Sequence, residues 1–170
     1  MGLIAHLAVK QDAIVDKWFA RVIDTYPAET ARFLRRQTDP FANPVGQTTF
    51  QNLGALVAML DSDWNPEKAR AALDPIMRIR AIQDFSPAQA TGFVFDLKQV
   101  IRGMMSSPMD PRGIENLVAL DQRIDELILI AFDIFMHCRE KIYALKANEM
   151  KNTTYKAFAK AGLIKEAADE

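Results

Sequence analysis

Apolar residues recur every three or four positions through most of this chain, and the breaks in that rhythm divide it into helices. Val15, Trp18, Phe19, Val22 and Tyr26 predict a helix from about Asp12 to Thr25, ended by Pro27. A second piece, 28–36, is expected to bring Phe33 and Leu34 against the same interior. QTDPFANPVGQ, residues 37–47, reads as a structured loop because two prolines and a glycine interrupt it, with Phe41 and Val45 as plugs into the core. Helical spacing returns over 48–62 with Phe50, Leu53, Leu56, Val57 and Leu60.

Asn65-Pro66 and Asp74-Pro75 each join a capping side chain to a proline suited to the first helical turn. They predict one helix from Pro66, a break or kink at Asp74, and a second piece from Pro75 to about Asp84 with Ile76, Ile79 and Ile82 near one side. Ser86-Pro87 with Gln89 three residues after the serine is a capping box, and it opens a helix burying Phe93, Val94, Leu97, Val100, Ile101 and Met104. SSPMDPRG, residues 106–113, then reads as a turn between antiparallel neighbours. The last long element runs from about Ile114 to Asn148, with a stripe through Leu117, Leu120, Ile124, Leu127, Ile128, Ala131, Phe135, Cys138, Ile142 and Leu145 and a middle apolar on nearly all sides. At about 1.5 Å per residue it spans roughly 50 Å, more than a domain of this size covers, so an overhanging end invites a partner.

No stretch alternates as a strand would, so the fold class is all-α: a bundle of about six helices with a long C-terminal helix. Residues 1–150 form a single helical domain, and 151–170 a polar tail or marginal helix with Tyr155, Phe158, Leu163 and Ile164 as sparse anchors. The 170 residues suit one core. With 21 basic and 22 acidic side chains there is no global field to hold nucleic acid or an anionic membrane. The single Cys138 excludes an internal disulfide and fits a reducing compartment. No apolar run approaches the roughly twenty residues needed to cross a bilayer. The expected location is therefore cytoplasmic, with no membrane insertion.

Candidate chemistry is sparse. HExxH, CxxC and calcium-loop patterns are absent from the sequence, and Asp133, His137, Asp121 and Asp125 on one helix read as a salt-bridged face before a metal site. His6 and His137 are the two imidazoles available to haem, and His137 is the candidate axial ligand. His137 and Cys138 are neighbours, which on a helix turns their side chains about 100° apart and argues against a dyad. Cys138 on an apolar stripe reads as a buried, inert thiol. Arg78, Arg80 and Arg102 could gather an anion near the start of the Pro87 helix, with ion pairs to Asp84 or Asp96 as the competing arrangement.

DPFANPVG after a Trp18-bearing helix, followed by FSPAQATGFVFDLKQVIR, resembles the N-terminal domain of the RsbT co-antagonist RsbRD group over most of residues 10–148. The resemblance implies a globin-like helical sensory domain that lacks haem, pairs as a dimer, and feeds a signal into a stressosome-like pathway without catalysis. In such co-antagonists a sulfate-transporter-and-anti-sigma-antagonist domain follows, on the order of 100 residues. The roughly twenty residues after Asn148 are too few for it, so the expectation is either a stand-alone sensor or adaptor or a domain that signals through the partner capturing its long helix. The expected function is that of a non-enzymatic regulatory domain without a cofactor, acting through a protein partner. It is expected to be homodimeric, with Ile124, Leu127, Phe135, Ile142 and Leu145 of the long helix as interface candidates. The competing function is a ligand-binding domain that holds haem or a small apolar molecule.

Overall fold

A computed structural model describes residues 9–37, 39, 41–60, 64–105 and 111–163. His6, residues 106–110 of the expected turn and Ile164 lie outside them; the rest of that turn, 111–113, belongs to the last helix. Among the described residues the chain is an all-α bundle of six helices: α1 (Gln11–Asp24), α2 (Ala28–Arg36), α3 (Pro44–Met59), α4 (Pro66–Ala81), α5 (Pro87–Gly103) and α6 (Pro111–Lys160).

Three helices begin in the same way. Asn43, Asn65 and Ser86 each accept a backbone N–H from the third helical residue, and a proline follows each cap at a position where no N–H is needed. At Ser86 the box is complete, since the Gln89 side chain accepts from the Ser86 N–H at 3.0 Å while Gln89 N–H donates to Ser86 Oγ at 3.2 Å. Asn43 does more than cap. Its Nδ2 donates to the carbonyls of Leu34 (3.0 Å) and Gln37 (2.9 Å), so one buried amide ties the end of α2 to the start of α3. A Cβ on Gly46 would fall within 2.8 Å of three Asn43 side-chain atoms, which is why glycine stands there. The expected loop over 37–47 is thus shorter, with α3 starting at Pro44. Phe41, expected as a plug, is 95% exposed, and Val45 packs only against a small satellite core of Ile23, Ala31 and Leu34.

The main core lies where α4, α5 and α6 meet, with α1 closing it against α3 and α5. Trp18 is fully buried, stacks on Phe93 with centroids 6.0 Å apart, and donates its indole N–H to the Phe93 carbonyl at 2.8 Å. Such a ring pair adds about 1 kcal/mol beyond its area, and the indole donor is satisfied without water. Trp64 fastens the start of α4 to α6 through Glu126 Oε2 at 2.8 Å. Leu34, Leu53 and Ile76 face inward as the spacing predicts, whereas Phe33, Phe50 and Ile82, placed with them, are exposed.

Continuity differs from the simplest reading at two places. α4 runs unbroken through Pro75. Proline removes one helical hydrogen bond, at a typical cost of about 3 kcal/mol. Ala72, Leu73, Ile76 and Met77, all buried and flanking the proline, hold the helix against its neighbours, while Ala71, whose carbonyl loses its donor, is on the exposed side. α6 does not fray after Asn148 but continues to Lys160 and then closes in a Schellman stop: Gly162 has φ 69°, its N–H donates to Ala159, and Leu163 N–H donates to Phe158. At 50 residues it is about 75 Å long.

The Asn43 knot predicts a specific coupling. Asn43→Ala and Asn43→Asp should each lower stability by about 2–3 kcal/mol, since the aspartate keeps the cap but loses both donors. Gly46→Ala should do similar damage, and in a double-mutant cycle with Asn43→Ala the two costs should fall well short of additivity in urea denaturation.

Candidate functional site

The arginines named as a candidate anion site are dispersed. Arg102 is exposed and paired with Asp121, and Arg78 is exposed and paired with Asp74 one turn earlier on α4. Neither uses Asp84 or Asp96; Asp96 pairs with Arg21. Arg80 is turned the other way, on the core side of α4, and is 0% exposed. Its Nε donates to the Ala90 carbonyl, and Nη2 to the Gln89 carbonyl and Thr25 Oγ1, all at 3.0 Å. The guanidinium carbon lies 4.2 Å from the Phe85 ring centre, 5.1 Å from Phe93 and 5.4 Å from Tyr26. Among the described residues no carboxylate pairs with it. Carbonyl oxygens and ring faces do that work, against the positive end of the α5 dipole. Burial pushes the Arg80 guanidinium below its ordinary pKa, with Tyr26 pulling it partly back, and burial raises the Tyr26 hydroxyl, partly offset by Arg80. The group joins the end of α1, the last turn of α4 and the first turn of α5.

On the other side of the same α4 turn, Arg139 of α6 donates to the Ala81 carbonyl at 3.2 Å and to the Tyr143 hydroxyl at 2.6 Å. The α4 terminus is thereby fixed from both sides by arginines.

His137, the haem-ligand candidate, is exposed in a cleft of about 270 Å³ between α4 and α6. Arg70, Asp74, Arg78, Asp133, Cys138 and Lys141 line it, so charged groups surround the imidazole where a porphyrin would need an apolar slot. Asp133, Asp121 and Asp125 are spent on Arg70, Arg102 and Lys98. Among the described residues there is no group of three or more His, Cys, Asp or Glu placed to hold a metal ion. Cys138 is half-buried against the main core.

The two faces of α6 differ from expectation. Ile124, Leu127 and Phe135, named as interface residues, are buried in the chain's own core and have no surface to offer a second copy. Ile142 is half-buried, and Leu145 alone of the five is exposed. The opposite face carries Ile114, Val118, Leu129, Phe132, Tyr143 and Met150, all exposed, with Leu129 and Met150 at 70% and 71%. From Leu129 these recur with half-buried Met136 at steps of three, four, seven and seven, which keeps them on one side of the helix. Sequence reasoning merged this second stripe with the first as a middle buried all round. The shared helical spacing, offset from the core stripe, is the signal that separates them.

A family model described as the RsbT co-antagonist protein rsbRD N-terminal domain matches residues 12–150, from the first turn of α1 to the exposed part of α6. The chain belongs to that family. Its members are regulatory, stressosome-associated signalling domains. No curated protein and no solved structure matches the chain. Among the described residues of this RsbRD N-terminal domain, no helix is long and apolar enough to cross a membrane.

Arg80→Lys keeps a charge but not the planar set of donors, and should cost about 2 kcal/mol in urea denaturation; Arg80→Ala, which also leaves a cavity, should cost about 3–5 kcal/mol. The raised Tyr26 pKa means the folded chain holds that proton more tightly than the unfolded chain. Stability from this group is complete below the ordinary tyrosine value of about 10 and is lost as pH rises through the higher folded value. Melting followed from pH 8 to about 11 should show a steeper alkaline decline for wild type than for Tyr26→Phe.

Proposed function

We propose that this chain is a non-enzymatic cytoplasmic signalling module that works as a homodimer, paired through the outer face of α6, and passes its state to a regulatory protein partner. The observation that carries the reading is the exposed stripe of Leu129, Phe132, Tyr143 and Met150 on a helix whose other face is already committed to the core. Family membership supports the regulatory role. An apolar row of this length facing water favours association, and a second copy offers an identical, self-complementary row. Residues past Tyr143 extend beyond the core contacts, which leaves them free to meet another chain.

Light scattering of the full chain at about 10 μM should give twice the chain mass, a concentration at which micromolar pairs are populated. Leu129→Glu combined with Phe132→Glu should return a monomer with an unchanged helical circular dichroism spectrum, whereas Leu145→Glu, on the other face, should leave the dimer intact. A monomeric wild type would sink the reading.

A further inference from the structure

Helix α2 carries a feature that the signalling surface does not use. Ala31 and Leu34 face its small core, and the rest of AETARFLRR presents Arg32, Arg35 and Arg36 within little more than one turn. The three arginines line a groove of about 570 Å³ between α2 and the end of α1, whose other walls are Asp24, Tyr26, Ala28 and Ala31. Among the described residues Asp24 is the one acid lining it, and it is paired with Arg35; Glu29 lines the adjoining depression with Arg32 and Arg36. Arg32 and Arg36 have no ion pair among the described residues. Elsewhere Arg21, Arg70, Arg78, Lys98 and Arg102 are each matched to a carboxylate of their own.

This arrangement works against the helix that bears it. Arg32 and Arg36 stand four residues apart, where like charges destabilise a helix. The C-terminal dipole offsets part of that for Arg35 and Arg36, which lie in the last turn, but does less for Arg32. All three positions are arginine, the side chain whose planar fork binds oxyanions two bonds at a time. The groove's volume lies within the roughly 300–1,000 Å³ of small-molecule sites.

We infer that the α1–α2 groove binds a small soluble molecule carrying two or more adjacent phosphate groups, with Arg32 and Arg36 as the primary contacts and Arg35 engaged by Asp24 in the unliganded chain. Tyr26 and the two alanine methyls form a partly apolar floor beneath it. The inference is independent of how α6 pairs, and binding can be read without reference to oligomeric state.

The test is calorimetric titration of the full chain with inorganic tripolyphosphate at about 50 mM ionic strength, where exposed charges are only moderately screened. Saturable binding of one ligand per chain is expected. It should weaken about tenfold or more in the Arg32→Gln, Arg36→Gln double variant, whose sites are exposed and unpaired, so that folding is retained by circular dichroism. Asp24→Asn should tighten binding, because it removes the acid that competes for Arg35, and Arg70→Gln in the α4–α6 cleft should leave it unchanged. No saturation by about 1 mM ligand, a millimolar or weaker site, would overturn the inference. So would equal losses in the double variant and Arg70→Gln, or binding to vesicles of anionic phospholipid without binding to tripolyphosphate.

Discussion

A buried charged side chain with no carboxylate partner among the described residues stands where α1, α4 and α5 meet, and the joints around it depend on how it is held. Arg80 exchanges water for two helix carbonyls, a threonine hydroxyl and three aromatic faces, while its buried Nη1 finds no hydrogen-bond partner among the described residues. Desolvating a guanidinium is expensive, so the interaction holds only while all of those groups keep their places. The residues that supply them belong to the end of α1, the link into α5 and the first two turns of α5, which brings together two chain reversals, α1 to α2 and α4 to α5. The packing of Trp18 on Phe93 is held in the same register, since Phe93 also forms one wall of the arginine's cage.

From that turn outward the structure is a sequence of attachments to α4. Arg80 fixes its last turn to α1 and α5, and Arg139 reaches the same turn from α6. Tyr143, the hydroxyl partner of Arg139, is also a member of the exposed row on α6. The groove at Tyr26 and the outer face of α6 are therefore joined by a short chain of direct contacts through a single helical turn.

How much of this was legible in the sequence depended on whether the deciding groups were neighbours in the chain. Helix starts at Pro66 and Pro87 follow from local capping chemistry and stand where the sequence puts them. Asn43-Pro44 carries the same signal, yet neighbouring turn residues hid it; the reason for Gly46 is the side chain of Asn43 folded over it, a three-dimensional fact. Asp74-Pro75 shows the converse, since a break signal yields to burial on both sides of the proline. Arg80 was grouped with Arg78 and Arg102 by charge alone. Its true partners are Thr25, 55 residues earlier, and backbone carbonyls, which carry no sequence signature. For α6 the apolar periodicity was readable, but two stripes on opposite faces overlap in a one-dimensional reading, and only packing tells which one is already covered.

The Schellman stop at Gly162 also has a mechanical meaning. Because α6 is one uninterrupted helix, the segment from Ile142 to Lys160 is a stiff arm of about 27 Å whose root is clamped by Arg139. A rotation of about 5° at that root moves the tip by more than 2 Å, close to the length of a hydrogen bond, while side chains at the root shift by only a fraction of that. A disturbance small enough for the close-packed core to absorb thus becomes, at the far end, a displacement large enough to make or break a contact.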